Sequence, residues 1–192
     1  MKKGSVSLII IMISIALFVC YHIYYQYVDY GSDNLVREYY NKENKMVKVE
    51  KINSEVHDKY LGVIKIPKIN LEKGFYNIDS KNNDIDKNVT ILKESVMPNI
   101  NGSIIYLIAH SGTGYHAFFK DIDKLTINDI INLDINNNSY QYIVNDIYEM
   151  DKNGKIMVNH NIHDNYLVLT TCSKNKDKQL IVVSKLLKNS VL

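Results

Sequence analysis

A cysteine at the end of an apolar segment is the first residue in this sequence that could do chemistry. Cys172 follows residues 167–171, whose branched side chains favour a strand, and precedes residues 173–178, which predict an exposed, lysine-rich loop. Residues 180–183 predict the next strand, so Cys172 should lie at the rim of a sheet. Positive charge nearby favours the thiolate, which is the nucleophilic form, although most cysteines are simply small buried hydrophobic residues.

A histidine that could serve such a cysteine as acid and base also follows an apolar segment. Residues 103–109 predict a buried strand, and His110 comes directly after it in a turn with Gly112 and Gly114. If the two strands are neighbours and run in the same direction, both side chains project from one rim, as catalysis by cysteine and histidine requires. The other histidines beyond the N-terminal apolar segment lie in polar or turn contexts typical of surface residues: His57, His116, His160 and His163.

The N-terminus predicts a membrane anchor. Residues 6–20 carry no charge, and with the tyrosines after them the segment approaches the roughly 20 residues that a spanning helix needs. Lys2 and Lys3 should stay in the cytoplasm, which places the rest of the chain outside the cell. A cleaved signal peptide is the alternative, but no small-x-small cleavage site follows the segment. Cys20 should pack within the membrane, so we expect no disulfide with Cys172.

The remaining chain predicts a stalk followed by one mostly β domain. In this interpretation residues 1–27 are the cytoplasmic tip and transmembrane anchor, residues 28–59 a partly helical stalk, and residues 60–192 the folded domain. The domain contains many short strand candidates with turn signals between them and little helix, which is typical of a closed or sandwiched β fold. The candidates are residues 61–69, 71–76, 89–92, 103–109, 130–135, 140–148, 155–158, 167–171 and 180–183, and residues 117–125 have helical spacing.

The charge pattern argues against nucleic acid as a partner and against a metal site. The net charge is +2, and Lys2 and Lys3 account for both units, so the remainder of the chain is formally neutral. The acidic residues are scattered without the spacing of a calcium-binding loop, so we expect no metal. We expect no cofactor either.

These motifs together resemble the sortase family, the membrane-anchored cysteine transpeptidases of Gram-positive bacteria. The resemblance extends from about Tyr60 to the C-terminus, and its motifs come in the family's order: residues 62–69 (GVIKIPKI), 108–112 (IAHSG), 119–125 and 169–172 (LTTC). It implies a closed eight-stranded β-barrel with one or two short helices. No D-P-F/W lid motif of the pilin-assembling type precedes Tyr60, so a housekeeping or single-substrate role is preferred, and the subclass stays open between class B-like and class D-like.

The resemblance implies acyl transfer in two steps. Cys172 would attack the Thr–Gly bond of a sorting motif in a secreted protein and form a thioacyl-enzyme. His110 would protonate the leaving amine and deprotonate the incoming one, which would come from a peptidoglycan precursor or another cell-wall amine. The catalytic domain would be extracellular, tethered to the cell membrane by a single-pass helix whose N-terminus is cytoplasmic.

One feature of the family is missing, namely the arginine on the strand after the cysteine. The chain's only arginine is Arg37, in the predicted stalk, and alignment on residues 180–183 puts Gln179 at the arginine's position with Lys178 beside it. An amide can donate to an oxyanion without charge, and losing one such donor typically costs about 10²–10³ in rate. A lysine keeps the charge but not the two-pronged fork. The remaining candidates for substrate contacts are Thr170, Thr171, Ser111 and Tyr115, local turn bonds being the more usual role of a serine there.

Two other functions stay open at this point. The missing arginine motivates a catalytically weak or inactive relative that binds wall peptides or partner proteins. A membrane-tethered cysteine hydrolase, which would release the acyl group to water, is the third interpretation.

Overall fold

The computed structural model describes residues 3–43 and 59–191. It divides into two compact units, Met1–Asn34 and Leu35–Leu192. Lys2 of the basic tip, and residues 44–58 of the predicted stalk with His57, lie outside the described residues. The domain boundaries at residues 27 and 59 therefore stay predictions.

One long helix, α1 (Lys3–Glu43), contains the predicted anchor and the first part of the predicted stalk. Every side chain of residues 8–27 is exposed, although most of them are apolar. Within the described part of the chain, this is the one helix that is long and apolar enough, by length and composition, to cross a membrane. A signal sequence would pass the same test, so the helix is compatible with a membrane anchor without showing its orientation.

Eight strands form one sheet that nearly closes into a barrel, in the order β2-β1-β5-β6-β8-β7-β4-β3. An isolated bridge between Phe75 and Val89 joins the two ends of this order. All neighbouring strands are antiparallel except β4 and β7, which are parallel. The strands are β1 (Tyr60–Ile66), β2 (Leu71–Tyr76), β3 (Thr90–Ile91), β4 (Ile104–Ile108), β5 (Ile130–Ile135), β6 (Asn138–Asp151), β7 (Tyr166–Cys172) and β8 (Lys178–Val191). The mostly β, eight-stranded fold predicted from the sequence is confirmed.

The parallel pair is apolar on both faces, which explains why β4 and β7 read as nearly continuous apolar segments. Alternate residues point to opposite faces, so Ile105 and Leu107 of β4 lie in the barrel core with Leu167 and Leu169 of β7. On the outer face, residues of β4, β7 and β8 form a second apolar cluster, called the outer cluster: Ile104, Tyr166, Val168, Ile181 and Val183. Ile156 and Val158, from the segment between β6 and β7, pack against this outer cluster.

The strands β6 and β8 extend well beyond the predicted residues 140–148 and 180–183, and three other predicted segments differ in secondary structure. Residues 155–158 belong to no strand, and the side chains of Ile156 and Val158 pack against the outer cluster. Within residues 117–125 the helical spacing yields only the 3-10 helix Ile122–Lys124. The strand predicted over residues 61–69 ends at Ile66, because a 3-10 helix, Pro67–Ile69, begins at a proline that cannot donate to a strand ladder.

A buried carboxylate ties residue 40 of α1 to the barrel within the second unit. Asp134 in β5 is 3 % exposed, and the Tyr40 hydroxyl donates to its Oδ2 at 2.5 Å. Lys65 Nζ lies 3.6 Å from the same oxygen and 4.2 Å from the centre of the Tyr40 ring. Burial and the contact with this carboxylate raise the pKa of Tyr40 well above its usual range, so the hydroxyl stays a donor.

We predict that Tyr40→Phe lowers the free energy of unfolding by about 1–3 kcal/mol, because it removes a donor from a buried carboxylate. Denaturant unfolding monitored by circular dichroism would measure this. Glu72→Gln is the matched control, since Glu72 pairs with the same Lys65 at 3.4 Å but is half exposed; its effect should stay below about 1 kcal/mol. Equal effects of the two substitutions would contradict the assignment.

Candidate active site

The parallel pairing of β4 with β7 brings the two residues singled out in the sequence to one end of the barrel. Its register runs from Ile104 opposite Tyr166 to Ile108 opposite Thr170, and the Ala109 amide continues it by donating to the Thr170 carbonyl at 3.3 Å. His110 follows β4, and Cys172 is the last residue of β7. The strands are thus neighbours that run in the same direction, and both residues lie at the end that we call the rim.

Two side-chain hydrogen bonds hold the rim together. Thr171 Oγ1 donates to the Ala109 carbonyl at 2.8 Å, and this bond is buried. Ser111 Oγ donates to the Cys172 carbonyl at 2.8 Å. Each bond crosses from one strand end to the other, so the backbones on both sides of His110 are fixed relative to Cys172. The Phe119 amide also donates to the His110 carbonyl at 3.0 Å, which anchors the turn that follows.

The Cys172 thiol is exposed, and a lysine contacts it. Lys152 Nζ lies 3.3 Å from Sγ. Lys152 directly follows β6, and its backbone amide donates to the Asp177 carbonyl at 2.9 Å, which fixes it beside the β7–β8 loop. The sequence predicted positive charge near Cys172, but from the loop of residues 173–178 and not from this lysine.

The His110 ring has a carboxylate partner that the sequence did not single out. Nε2 lies 2.8 Å from Asp86 Oδ1, and the side chains of His110 and Asp86 are 41 % and 80 % exposed. Asp86 belongs to the loop before β3, and its amide donates to Asp84 Oδ1 at 3.0 Å. Nothing in the polar composition of this loop distinguished Asp86 from its neighbours, so only the folded chain reveals the pairing.

Of the two candidates for the missing arginine, Gln179 and Lys178, the first is engaged with a backbone carbonyl. Gln179 pairs with Cys172 across the two strands and is buried, but its Nε2 donates to the Lys155 carbonyl at 2.7 Å. The amide therefore holds the segment between β6 and β7. Lys178 is half-buried and lies opposite Asp151 in the sheet.

Two side chains of the β7–β8 loop contact carboxylates outside the loop. Lys174 Nζ lies 2.6 Å from Asp123 Oδ2, and this contact lowers the pKa of Asp123 and raises that of Lys174. Ser173 Oγ donates to the Glu149 carboxylate. The loop lysine nearest in sequence to Cys172 is thus engaged with the 3-10 helix.

The other candidate residues occupy different environments around the rim. Thr170 and Thr171 are both buried, but within the described residues the Thr170 hydroxyl has no hydrogen-bond partner. Tyr115 is half-buried in the turn after His110. Across residues 3–43 and 59–191, no three His, Cys, Asp or Glu side chains come together as metal ligands.

The barrel has the fold of a known class of structures, the sortases. Sortase D5 of Clostridium perfringens matches with a TM-score of 0.59 and 22 % identity over 79 % of this chain and 89 % of that one. Sortase C of Streptococcus pneumoniae matches with a TM-score of 0.59 and 24 % identity over 74 % and 76 %. A lid mutant of sortase A from Corynebacterium diphtheriae gives 0.60 and 17 % over 73 % of each chain. At these identities the likeness shows the fold alone.

The family follows from the sequence comparison. The model of the sortase domain matches residues 64–187, and the chain therefore belongs to the sortase family, whose members are cysteine transpeptidases. No curated protein sequence matches it. The matched residues include His110 and Cys172, so the two strand ends described above lie inside the family's domain.

We predict that Thr171→Val lowers the free energy of unfolding by about 1–2 kcal/mol, because it leaves the Ala109 carbonyl without its buried donor. Thermal unfolding would measure the loss. Thr170→Val is the matched control: the same change one residue earlier removes a hydroxyl that bonds nothing among the described residues, so stability should be kept or rise. A larger loss at position 170 than at 171 would contradict this account of the rim.

Proposed function

We propose that this protein is a transpeptidase in which Cys172 is the nucleophile and His110 the acid and base. The parallel pairing of β4 and β7 carries the proposal, since it brings both strand ends to one rim, where hydrogen bonds from Thr171 and Ser111 tie them together. The exposed thiol and the half-exposed imidazole are open to a polypeptide substrate.

The reaction divides one difficult displacement into two easier ones. Cys172 Sγ adds to the carbonyl carbon of a threonine in the sorting motif, and the electron pair of the C=O bond moves onto oxygen. When the C–N bond to glycine breaks, His110 gives the departing nitrogen its proton, leaving a thioester on Cys172. An incoming amine then adds to the thioester and loses a proton to His110, and the thiolate leaves.

Asp86 has a defined place in this scheme. Its carboxylate occupies Nε2 of His110, so Nδ1 is the ring nitrogen left to exchange a proton with the substrate. Because the Asp86 side chain is 80 % exposed and that of His110 is 41 % exposed, the contribution of this contact to the rate should be modest, as for other surface ion pairs.

The substrates are secreted proteins with a C-terminal sorting motif cleaved between threonine and glycine, and the acceptor is an amine of a peptidoglycan precursor or another cell-wall component. The N-terminal helix would anchor the enzyme in the cell membrane with its N-terminus in the cytoplasm and the barrel outside. The exposed, mostly apolar side chains of residues 8–27 support the membrane anchor.

Two alternatives give different products. A non-catalytic relative would bind wall peptides or partner proteins without forming a thioester, an interpretation motivated by Gln179 at the arginine's position. A hydrolase would form the thioester but release the acyl group to water whether or not an amine is present.

We predict that the full chain in detergent, incubated with peptides containing a Thr–Gly bond, gains the mass of the N-terminal peptide fragment on Cys172. Intact-mass spectrometry would detect this thioester. Cys172→Ala and His110→Ala should abolish it, because each removes a reacting group, whereas Cys20→Ser, the matched control for the other exposed thiol, should retain it.

Addition of a glycine-type amine separates transfer from hydrolysis. The account predicts a new peptide–amine product and a smaller yield of free acid. A product unchanged by the amine would indicate the hydrolase, and the absence of a thioester on every sorting peptide would favour the binding module.

A further inference from the structure

The positively charged group that contacts the Cys172 sulfur is Lys152, which directly follows β6. The family's arginine lies instead on the strand after the cysteine. We propose that Lys152 supplies the positive charge that stabilises the oxyanion formed at Cys172, and that Gln179 positions the segment carrying it. This inference rests on the proposed function, since it concerns the same acyl transfer. The charge that the missing arginine would supply thus comes from Lys152, and the residue at the arginine's position holds the segment that begins with Lys152.

The distance fits a group that acts on the oxyanion. Lys152 Nζ lies 3.3 Å from Cys172 Sγ. When the sulfur bonds to a substrate carbonyl carbon, the carbonyl oxygen lies one further bond away and becomes negatively charged. Oxyanions are stabilised by donors about 2.7–3.1 Å from the oxygen, and an ammonium has three rotatable donors on a flexible stem. Lys152 can therefore move from the sulfur to the new oxygen without a change in the backbone.

Contacts on both sides of Lys152 fix its position. At the start of the 152–155 stretch, the backbone amide of Lys152 donates at 2.9 Å to the carbonyl of Asp177, the residue before β8. Three residues later the buried Gln179 amide donates to the Lys155 carbonyl at 2.7 Å. Further along, the Tyr148 hydroxyl donates to the Met157 carbonyl, and Ile156 packs on the outer cluster. The short exposed stretch from 152 to 155 is thus held at both ends.

The surrounding charges leave Lys152 available. Among the described residues, Lys152 has no carboxylate within ion-pair distance, although Asp151 and Asp177 are close in the backbone. Glu149 accepts from Ser173, and Lys174 is paired with Asp123. The charge of Lys152 is therefore directed at the sulfur and not neutralised by a neighbour.

The assignment of Gln179 follows from its burial. A side chain only 9 % exposed, with its amide donated to a backbone carbonyl at 2.7 Å, is not free to reach a substrate oxygen. Its loss should therefore act through the placement of the 152–155 stretch. Gln179 is a positioning residue, whereas Lys152 would touch the reacting atoms.

The test is the acylation rate of the full chain on one sorting peptide, measured by quenched-flow mass spectrometry for wild type, Lys152→Met, Lys152→Arg and Lys176→Met. Lys152→Met should lower kcat by about 10²-fold or more with little change in KM, because the charge acts in the transition state. Lys152→Arg should restore part of the rate. Lys176→Met removes an exposed lysine of the neighbouring loop, and its rate should match the wild type.

Gln179→Leu adds a check on the positioning role. It should lower kcat less than Lys152→Met does, and in the Lys152→Met background it should have little further effect, since the group that it positions is already gone.

The outcomes separate this inference from the proposed function. Wild-type acylation that requires Cys172, together with an unchanged rate in Lys152→Met, would overturn the role of Lys152 and leave the transpeptidase assignment intact. A parallel loss in Lys176→Met would also overturn it, because the effect would then be one of overall charge. If the wild type forms no acyl-enzyme on any peptide, the proposed function fails and this inference with it.

Discussion

The site depends on the parallel pairing of β4 with β7. Parallel strands cannot be joined by a tight hairpin, and here β5 and β6 lie between β4 and β7 in the chain. Ala109 and Thr171, which are hydrogen-bonded, are 62 positions apart in sequence. The rim is therefore built from residues that only the folded barrel brings together. Because this pair is apolar on both faces, it also requires a cover on the outside, which residues 156 and 158 provide.

That cover links the stability of the barrel to the chemistry at its rim. The segment that covers the outer cluster begins with Lys152, the lysine that contacts Cys172. The Gln179 side chain holds this segment by donating a hydrogen bond to the Lys155 carbonyl. In the resting state both proposed reacting groups have charged partners, Cys172 with Lys152 and His110 with Asp86. Both contacts are exposed, so a substrate can displace or reuse them at little cost in free energy.

The fold and the family could be predicted from the sequence because both depend on short apolar segments and on the residues that directly follow them. The apolar segments that became β4 and β7 were recognisable from composition, and a lone histidine and cysteine each followed one of them. Residues 155–158 show where this reasoning fails: alternation reports which side chains are buried, and not whether the backbone pairs with a strand. Lys152 and Asp86 could not be predicted, because each lies in a polar stretch whose proximity to the rim is set by barrel closure alone.

The central claim is that the sulfur of Cys172 and the imidazole of His110 share one environment in the folded chain. The most direct measurement is the NMR spectrum of the histidine rings before and after methylthiolation of Cys172, in a Cys20→Ser background. The account predicts that the His110 ring resonances shift, whereas the ring resonances of His116, in the same turn region but hydrogen-bonded to the Lys87 carbonyl, shift much less. His110 resonances that stay unchanged on modification of a fully accessible Cys172 would contradict it.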